Sequence, residues 1–492
     1  MTEGILVLDL GTTELKAVLF DADFSIVSQY RCEWKYTHPR RGWIEHPAIQ
    51  YWTACLDAMK TLLAHDEHRR KLRAISVTGQ AETLVTLDHD GQALGEAIVW
   101  LDTRAQEEAK ALSGKITPGE MYARTGNDGF DPVMPVCKIP WIRANQPERY
   151  AETSKFLLIK EYIIFKLTGV LVGECSALSC SGYFNIVTRS LDLAILDAAD
   201  IDRGKLPDPE ESLSVVGCIH DDLAKFLDIC PDVRVVNGML DQCASAIGAG
   251  NIVPGAITET TGTVLAIAAT VDSFEPASMI GRFPVLSHAL PGRYLALPNC
   301  PTAGVLLNWF RDQFLPDHES FEHIDRCVAE RSADPDGVIA LPHFSGRLSP
   351  VHVPDALVVL YGLTLSTDKY HIARALMESV GFLLRENLEL LKDNGIASDE
   401  VVSLGGGSRS GVWTQIKADI CKAPFRTLEC AQSTALGCAI GAAYALGMID
   451  SIDEATRHIG TACSFAPDPA TMGIYDKLYH RYRTLNANLG FE

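Results

Sequence analysis

The stretch Ile5-Leu6-Val7-Leu8-Asp9-Leu10-Gly11-Thr12-Thr13-Glu14-Leu15-Lys16-Ala17-Val18-Leu19-Phe20 is an apolar run broken by Asp-x-Gly-Thr-Thr and followed by a second apolar run. Two short runs of this kind around a glycine turn read as a β-hairpin. The pattern returns in the other half as Ala256-Ile257-Thr258-Glu259-Thr260-Thr261-Gly262-Thr263-Val264-Leu265-Ala266-Ile267. Shortly before that copy stands Asn237-Gly238-Met239-Leu240-Asp241-Gln242. Glycine lets a backbone approach a ligand closely, and the amides and hydroxyls of such a tip suit phosphate oxygens. Two tips of this kind, one per half, suggest a polyphosphate held between two lobes and hence an ATP-dependent kinase.

At 492 residues the chain exceeds what one hydrophobic core usually supports, so two domains are expected. The 43 basic and 63 acidic residues leave a formal charge of −20, which disfavours nucleic acid and anionic membranes as partners. An anionic ligand then needs a local device, such as backbone amides or Mg²⁺. Fourteen cysteines are scattered without a Cys-x-x-Cys pair and read as small core residues in a reducing compartment. No apolar stretch reaches the roughly 18 residues that span a bilayer. The chain starts on a core strand without a signal-like segment, so a cytoplasmic location is the expectation.

The first half begins strand-rich. After the hairpin come a strand near Ser25 to Lys35, a helix around Ile49 to His65 and the buried strand Ala74 to Thr78 ending on Gly79-Gln80. Pro132 to about Leu167 reads as mostly helical, and Asn237-Gly238 reads as a turn after the strand Val233 to Val236. The second half is expected to begin near residue 250. It holds a long helix from about Ile372 to Lys392, a strand Val401 to Leu404 and a glycine loop from Gly405 to Gly411. The small residues Ala435 to Ala443 read as a helix packed closely on a neighbour. Strands mixed with helices give an α/β protein.

Asp9, where a strand runs into Gly11-Thr12-Thr13, can associate with a hydrated Mg²⁺ while the turn faces phosphate, or can simply bond its own backbone. Lys16 on the return strand is either a solvated charge or a reach toward the phosphates. Asp241 stands at a helix start, as a first-turn charge or as a general base for a substrate hydroxyl. Gly406, Gly407, Ser408 and Gly411 open a helix, so their backbone can hold an anion or lie against a planar base. That loop is neither a dinucleotide fingerprint nor a Walker A sequence, so a nucleotide site must belong to another fold. Gln80, Glu82, Trp100, Asp102 and Arg104 follow strands and can converge on a hydroxylated ligand, or each can be a loop residue.

The order of these motifs resembles the FGGY carbohydrate kinases, of the actin, hexokinase and Hsp70 superfamily, over essentially the whole chain. Asp9-Leu10-Gly11-Thr12-Thr13 with Lys16 resembles the family's first phosphate loop, and Gly262-Thr263 its second. Asp241-Gln242 resembles its catalytic-base segment. Gly405-Gly406-Gly407-Ser408 through Gly411 and Trp413, with Thr434-Ala435-Leu436-Gly437, resembles its adenosine loop. Leu341 to Arg347 and Tyr361-Gly362-Leu363-Thr364 resemble further segments. The resemblance implies two ribonuclease-H-like (actin-like ATPase) domains around a central cleft. They would be an N-terminal sugar-binding domain over 1–247 and a C-terminal nucleotide-binding domain over 248–492.

It further implies ATP and Mg²⁺, with Asp241 as base and Asp9 beside the metal. Gly11, Thr12, Thr13, Lys16, Gly262 and Thr263 would serve the phosphates, and Gly406, Gly407, Ser408 and Gly411 the nucleotide. The acceptor would meet Gln80, Glu82, Trp100, Asp102, Asp241 and Gln242. A homodimer or homotetramer is compatible with it. Departures bear on the substrate. Glycerol kinases carry Arg where Ala81 stands, and xylulokinases show Gln-Met-His-Gly where this chain reads Gln80-Ala81-Glu82-Thr83. Ser345-Gly346-Arg347-Leu348-Ser349-Pro350 replaces the xylulokinase Ser-Gly-Glu-Arg-Thr-Pro. The expected acceptor is a small ketose or polyol, with a ketopentose such as xylulose favoured. A glycerol or other polyol kinase, a nucleotide-binding regulator and an assembling ATPase are the alternatives.

Overall fold

A computed structural model describes residues 3–315 and 319–491. Its frame is one strand arrangement built twice. In the first half, Gly4–Leu10, Glu14–Phe20 and Ile26–Glu33 form an antiparallel meander. Leu72–Gly79 then pairs parallel with Gly4–Leu10, and Arg234–Leu240 parallel with Leu72–Gly79. In the second half, Ile257–Thr261, Leu265–Val271 and Tyr294–Ala296 make the meander. Val401–Leu404 and Phe425–Leu428 add the parallel strands. An antiparallel strand beyond the last parallel one, Val215–Cys218 in one half and Thr461–Phe465 in the other, extends each sheet.

Every residue of Gly4–Leu10 is buried, as expected of a central strand covered on both faces. Both hairpin tips lie at the ends of the strands from which the parallel neighbours also emerge. Each sheet therefore presents its turn and its strand-end loops on the same side. That repetition is what brings sequence-distant motifs together.

The halves join where the helices Asp241–Gly248 and Ser433–Ala445 cross. A Cβ on Gly248 would stand 1.8 Å from the Ser433 carbonyl oxygen, and one on Gly437 would stand 1.9 Å from that of Ala244. Only bare backbone fits there. Ser245 Oγ and Thr434 Oγ1 share a hydrogen bond of 2.7 Å across the crossing. The second helix also reaches the first sheet, with Cys438 Sγ 3.1 Å from Ser76 Oγ. A separate contact ties Val285 N–H to the Gly126 carbonyl at 2.9 Å and the Tyr122 hydroxyl to the Phe283 carbonyl at 2.9 Å.

One local expectation is corrected, and another, the mostly helical Pro132 to Leu167, holds with one interruption. Asn237-Gly238 is not a turn: both residues lie inside the strand Arg234–Leu240, whose register against Leu72–Gly79 shifts between Val236 and Met239. Gly238 absorbs that bulge at φ +71°, where a Cβ would meet the Val77 carbonyl at 1.9 Å. The segment from Pro132 to Leu167 is interrupted by the strand Lys155–Leu158, which pairs with Leu84–Leu87. Pairing with a distant strand overrides the local helical pattern there. Among the described residues no helix is long and apolar enough to cross a membrane.

Candidate active site

Each hairpin tip is tied back by its carbonyls and by its glycine amide, Gly11 N–H donating to the Glu14 carbonyl and Gly262 N–H to that of Val264, each at 3.0 Å, which leaves the threonine amides free. In the first, Gln80 Nε2 donates to the Gly11 carbonyl at 3.1 Å and Trp34 N–H to the Thr13 carbonyl at 3.0 Å. The Thr12 carbonyl accepts from Trp34 Nε1 at 2.8 Å and from the Tyr36 hydroxyl. Among the described residues the Thr12 and Thr13 amides donate to no protein group. In the second tip, Gly304 N–H donates to the Gly262 carbonyl at 2.7 Å and Ala303 N–H to that of Thr263 at 3.0 Å, and the Thr263 amide again has no protein acceptor. Amides facing outward from a braced turn form an anion cradle.

The second tip opens into a cavity of about 330 Å³ whose floor is Thr261, Gly262, Thr263, Gly406 and Gly407, with Trp413 at its side. Gly405, at φ +79°, brings the glycine loop against this turn, since a Cβ there would stand 2.8 Å from the Thr261 carbonyl oxygen. Ser410 caps the following helix by accepting from Trp413 N–H at 3.0 Å and itself donates to Asp325 at 2.8 Å. Ser408 is half-buried and spends its hydroxyl on the Gly405 carbonyl, and Gly411 faces Phe465 rather than the cavity. Beneath the floor lies a fully buried ion pair. Lys417 Nζ donates to Glu259 Oε1 and Thr261 Oγ1, each at 2.7 Å, and Ser403 donates to the same carboxylate.

On the facing lobe, Asp241 begins its helix directly after the bulged strand, and the strand end is fixed by Leu240 N–H donating to Ser176 Oγ at 2.9 Å. Asp241 is the first residue of that helix and is half-buried. Burial, then the Asp9 carboxylate, pushes its pKa up to about 7; the Gln242 amide opposes this and Glu82 adds to it. Asp9 itself is raised to about 6, by burial against the opposing charge of Lys16. Glu82 is held at about 7, again chiefly by burial, with Lys138 pulling it down and Asp131 pushing it up. Asp9 and Glu82 thus both bear on the charge of Asp241. Gln242, next to Asp241, is half-buried.

Lys138 lowers the Glu82 pKa by its charge, yet its ammonium is committed to the backbone carbonyls of Glu82 and Val99, each at 3.0 Å. Beside this group a cavity of about 420 Å³ is walled by both lobes, with Asp128 and Asp131 on one side and Arg282, Asn299 and His352 on the other.

Asp102 does not join the acceptor wall. It is fully buried, its oxygens accept from Arg104 Nε at 2.8 Å, Arg104 Nη2 at 2.7 Å and the Ile44 amide at 2.5 Å, and nothing is left for a ligand. Arg104 is clamped in turn over the Trp43 and Trp141 rings. Trp34, Tyr36, Lys138, Glu259 and Lys417 escaped the sequence reading. For the last three a signal existed: each is a lone charge inside an apolar or β-prone run.

Two family models match the chain, the N-terminal domain of the FGGY family of carbohydrate kinases over residues 4–248 and the C-terminal domain of that family over residues 256–446. A xylulose kinase of Lactococcus lactis is 27% identical, the match covering 98% of this chain and 96% of the relative. A glycerol kinase of Agathobacter rectalis is 29% identical over 96% of this chain and 95% of its own length. The crystal structure of a xyloylose kinase from Brucella ovis superposes with a TM-score of 0.92 at 27% identity, covering 99% of both chains.

Proposed function

The chain belongs to the FGGY family of carbohydrate kinases and is a phosphotransferase with an alcohol group as acceptor, and on that premise we propose that it moves the γ-phosphoryl group of ATP to a hydroxyl of a small ketose or polyol, a ketopentose such as xylulose being favoured. The observation that carries this reading is the half-buried Asp241 carboxylate, which feels the charge of Asp9 beside the first amide-bearing turn, together with a second amide-bearing turn in the other half. A pure nucleotide-binding regulator has no use for such a group.

Asp241, near neutrality in its pKa, takes the proton of the acceptor hydroxyl as the oxygen attacks. The Gly11-Thr12-Thr13 and Gly262-Thr263 tips hold the phosphates from the two lobes, and preorganised amides aimed at developing charge need no reorganisation during transfer. Gly406 and Gly407 give the nucleotide a bare floor. Glu82 meets acceptor hydroxyls from the other side of Asp241. Closure of the lobes excludes water as a competing acceptor.

The residues also fit Mg²⁺. The Asp9 carboxylate is buried, and the hydroxyl of Thr78, its ladder neighbour, is buried without a hydrogen-bond partner. Among the described residues no cluster of three or more His, Cys, Asp or Glu groups could hold a metal, which suits a cation bound mainly through water and phosphate oxygens. Asp9 and Thr78 would hold it, and there it would offset phosphate charge.

The test is ADP release with pentuloses, pentitols, hexuloses and glycerol offered singly. We expect turnover with at least one and the highest kcat/KM for a ketopentose. No acceptor-stimulated release from folded protein would favour the regulator, and a clear preference for glycerol would move the assignment to a polyol kinase.

A further inference from the structure

Gln80 and Trp100 occupy the acceptor side in the sequence reading, yet their polar atoms point elsewhere. Trp100 Nε1 donates to Thr12 Oγ1 at 3.2 Å. The backbone N–H of Trp100 donates to Thr83 Oγ1 at 3.0 Å, Thr83 Oγ1 donates to Gln80 Oε1 at 2.7 Å, and Gln80 Nε2 donates to the Gly11 carbonyl at 3.1 Å. Both ends of this chain of hydrogen bonds land on the first phosphate turn. Gln80 and Thr83 are buried, so solvent supplies no ready substitute.

The chain has a fixed direction. An indole N–H and a backbone N–H can only donate, so Thr83, having accepted from Trp100, spends its proton on Gln80. That choice sets the Gln80 amide with its nitrogen toward Gly11. At the other end, the Thr12 hydroxyl has accepted from the indole, and its own proton is left to donate outward. A phosphate oxygen only accepts, so this is the polarity a phosphate site requires. Glu82, the carboxylate beside Asp241, lies in the same four residues as Gln80 and Thr83.

We infer that Gln80, Thr83 and Trp100 are positioning residues for the nucleotide, which orient the Gly11-Thr12-Thr13 turn and join it mechanically to the segment that carries Glu82. The inference deepens the kinase reading above and rests on it for the identity of the ligand. It moves Gln80 and Trp100 from acceptor recognition to phosphate recognition.

The test compares Trp100→Phe, Thr12→Val, Thr83→Val and the double variant Trp100→Phe/Thr12→Val with the parent. Dissociation constants for ATP are measured by calorimetry without acceptor, and kcat and both KM values are measured with the best acceptor. Losing a hydrogen bond that serves a charged ligand costs about ten- to a hundredfold, so each single variant is expected to weaken ATP binding, lower kcat or both by about that factor. Acceptor KM should change less than threefold. Because Trp100 acts through Thr12, the double variant should match Thr12→Val within about twofold, since coupled residues are not additive. Thr12→Ser, which restores the hydroxyl, should recover most of the loss.

The inference is overturned if Trp100→Phe raises only the acceptor KM, or if the two effects multiply in the double variant. Equal losses in Thr12→Ser and Thr12→Val would also overturn it, by showing that packing rather than the hydroxyl matters. Its failure is separable from that of the kinase reading: a protein that phosphorylates no acceptor fails the latter, while the calorimetric comparison still decides the former.

Discussion

Asp9 and Asp241 leave two parallel-running strands of one sheet that are separated only by Leu72–Gly79, for Asp9 is paired with Thr78 and Leu240 with Gly79. The two carboxylates therefore share one rim, and Asp9 is one of the groups that raise the Asp241 pKa. Under the proposed mechanism it would link metal association at Asp9 to the basicity of Asp241 across a single strand.

The pH dependence follows. With Asp241 at about 7, kcat should fall by about tenfold per unit on the acid side of that value, because the base is lost by protonation. Glu82→Gln removes one of the like charges that raise Asp241, so the acid limb should move to lower pH even as acceptor KM rises. A pH–rate profile of parent and variant checks this, and an unmoved or upward-shifted limb contradicts it. Stability has the matching sign. The folded state keeps protons that an unfolded Asp releases near 3.8, so the Asp241 contribution to stability declines as pH rises from there through about 7.

At the helix crossing, Gly437→Ala puts a methyl group where the Ala244 carbonyl already stands. The helices must separate, at a cost of about 1–3 kcal/mol for overpacking. We expect a lowered thermal midpoint together with a reduced kcat, because Asp241 starts one of the two helices. Thermal unfolding and steady-state rates measured on one preparation check the pairing of effects. Unchanged stability would show that the crossing is looser than the structure has it.

Under the nucleotide floor, Lys417→Met alone leaves Glu259 buried without its partner, a loss of about 3–5 kcal/mol for a broken buried pair. Replacing both, as Lys417→Met with Glu259→Gln, removes the stranded charge and should recover much of that stability. ATP affinity should remain impaired, because Thr261 has lost the ammonium that accompanies it beside the turn. Denaturant unfolding and calorimetric ATP titration separate the two effects.

The doubled hairpin, the helix beginning at Asp241 and the small-residue helix were legible in the chain because each is a local pattern. Gly11-Thr12-Thr13 and Gly262-Thr263 needed no knowledge of distant residues to be read as turns. The partners of Gln80 and Trp100 were not legible, since Thr12 is 88 positions from Trp100 and an indole beside a strand looks the same whichever way it points. Asp102 was misplaced for a related reason: its neighbour Arg104 absorbs it completely, and spacing alone does not tell a buried clamp from a ligand contact. Glu259 and Lys417, 158 positions apart, become a pair only once the second sheet has formed. The Asn237-Gly238 bulge was read as a turn because the same dipeptide serves both and only the register against Leu72–Gly79 separates them.

The most direct test of the account follows the label of ATP carrying a marked γ-phosphate through a single turnover with the best acceptor from the panel, in the parent and in Asp241→Asn. The account predicts that the label arrives on the acceptor alcohol one for one with ADP in the parent, and that Asp241→Asn binds ATP as before while transfer slows by at least about a hundredfold. Label appearing as inorganic phosphate at a rate indifferent to the acceptor, or near-parental transfer by Asp241→Asn, would contradict it.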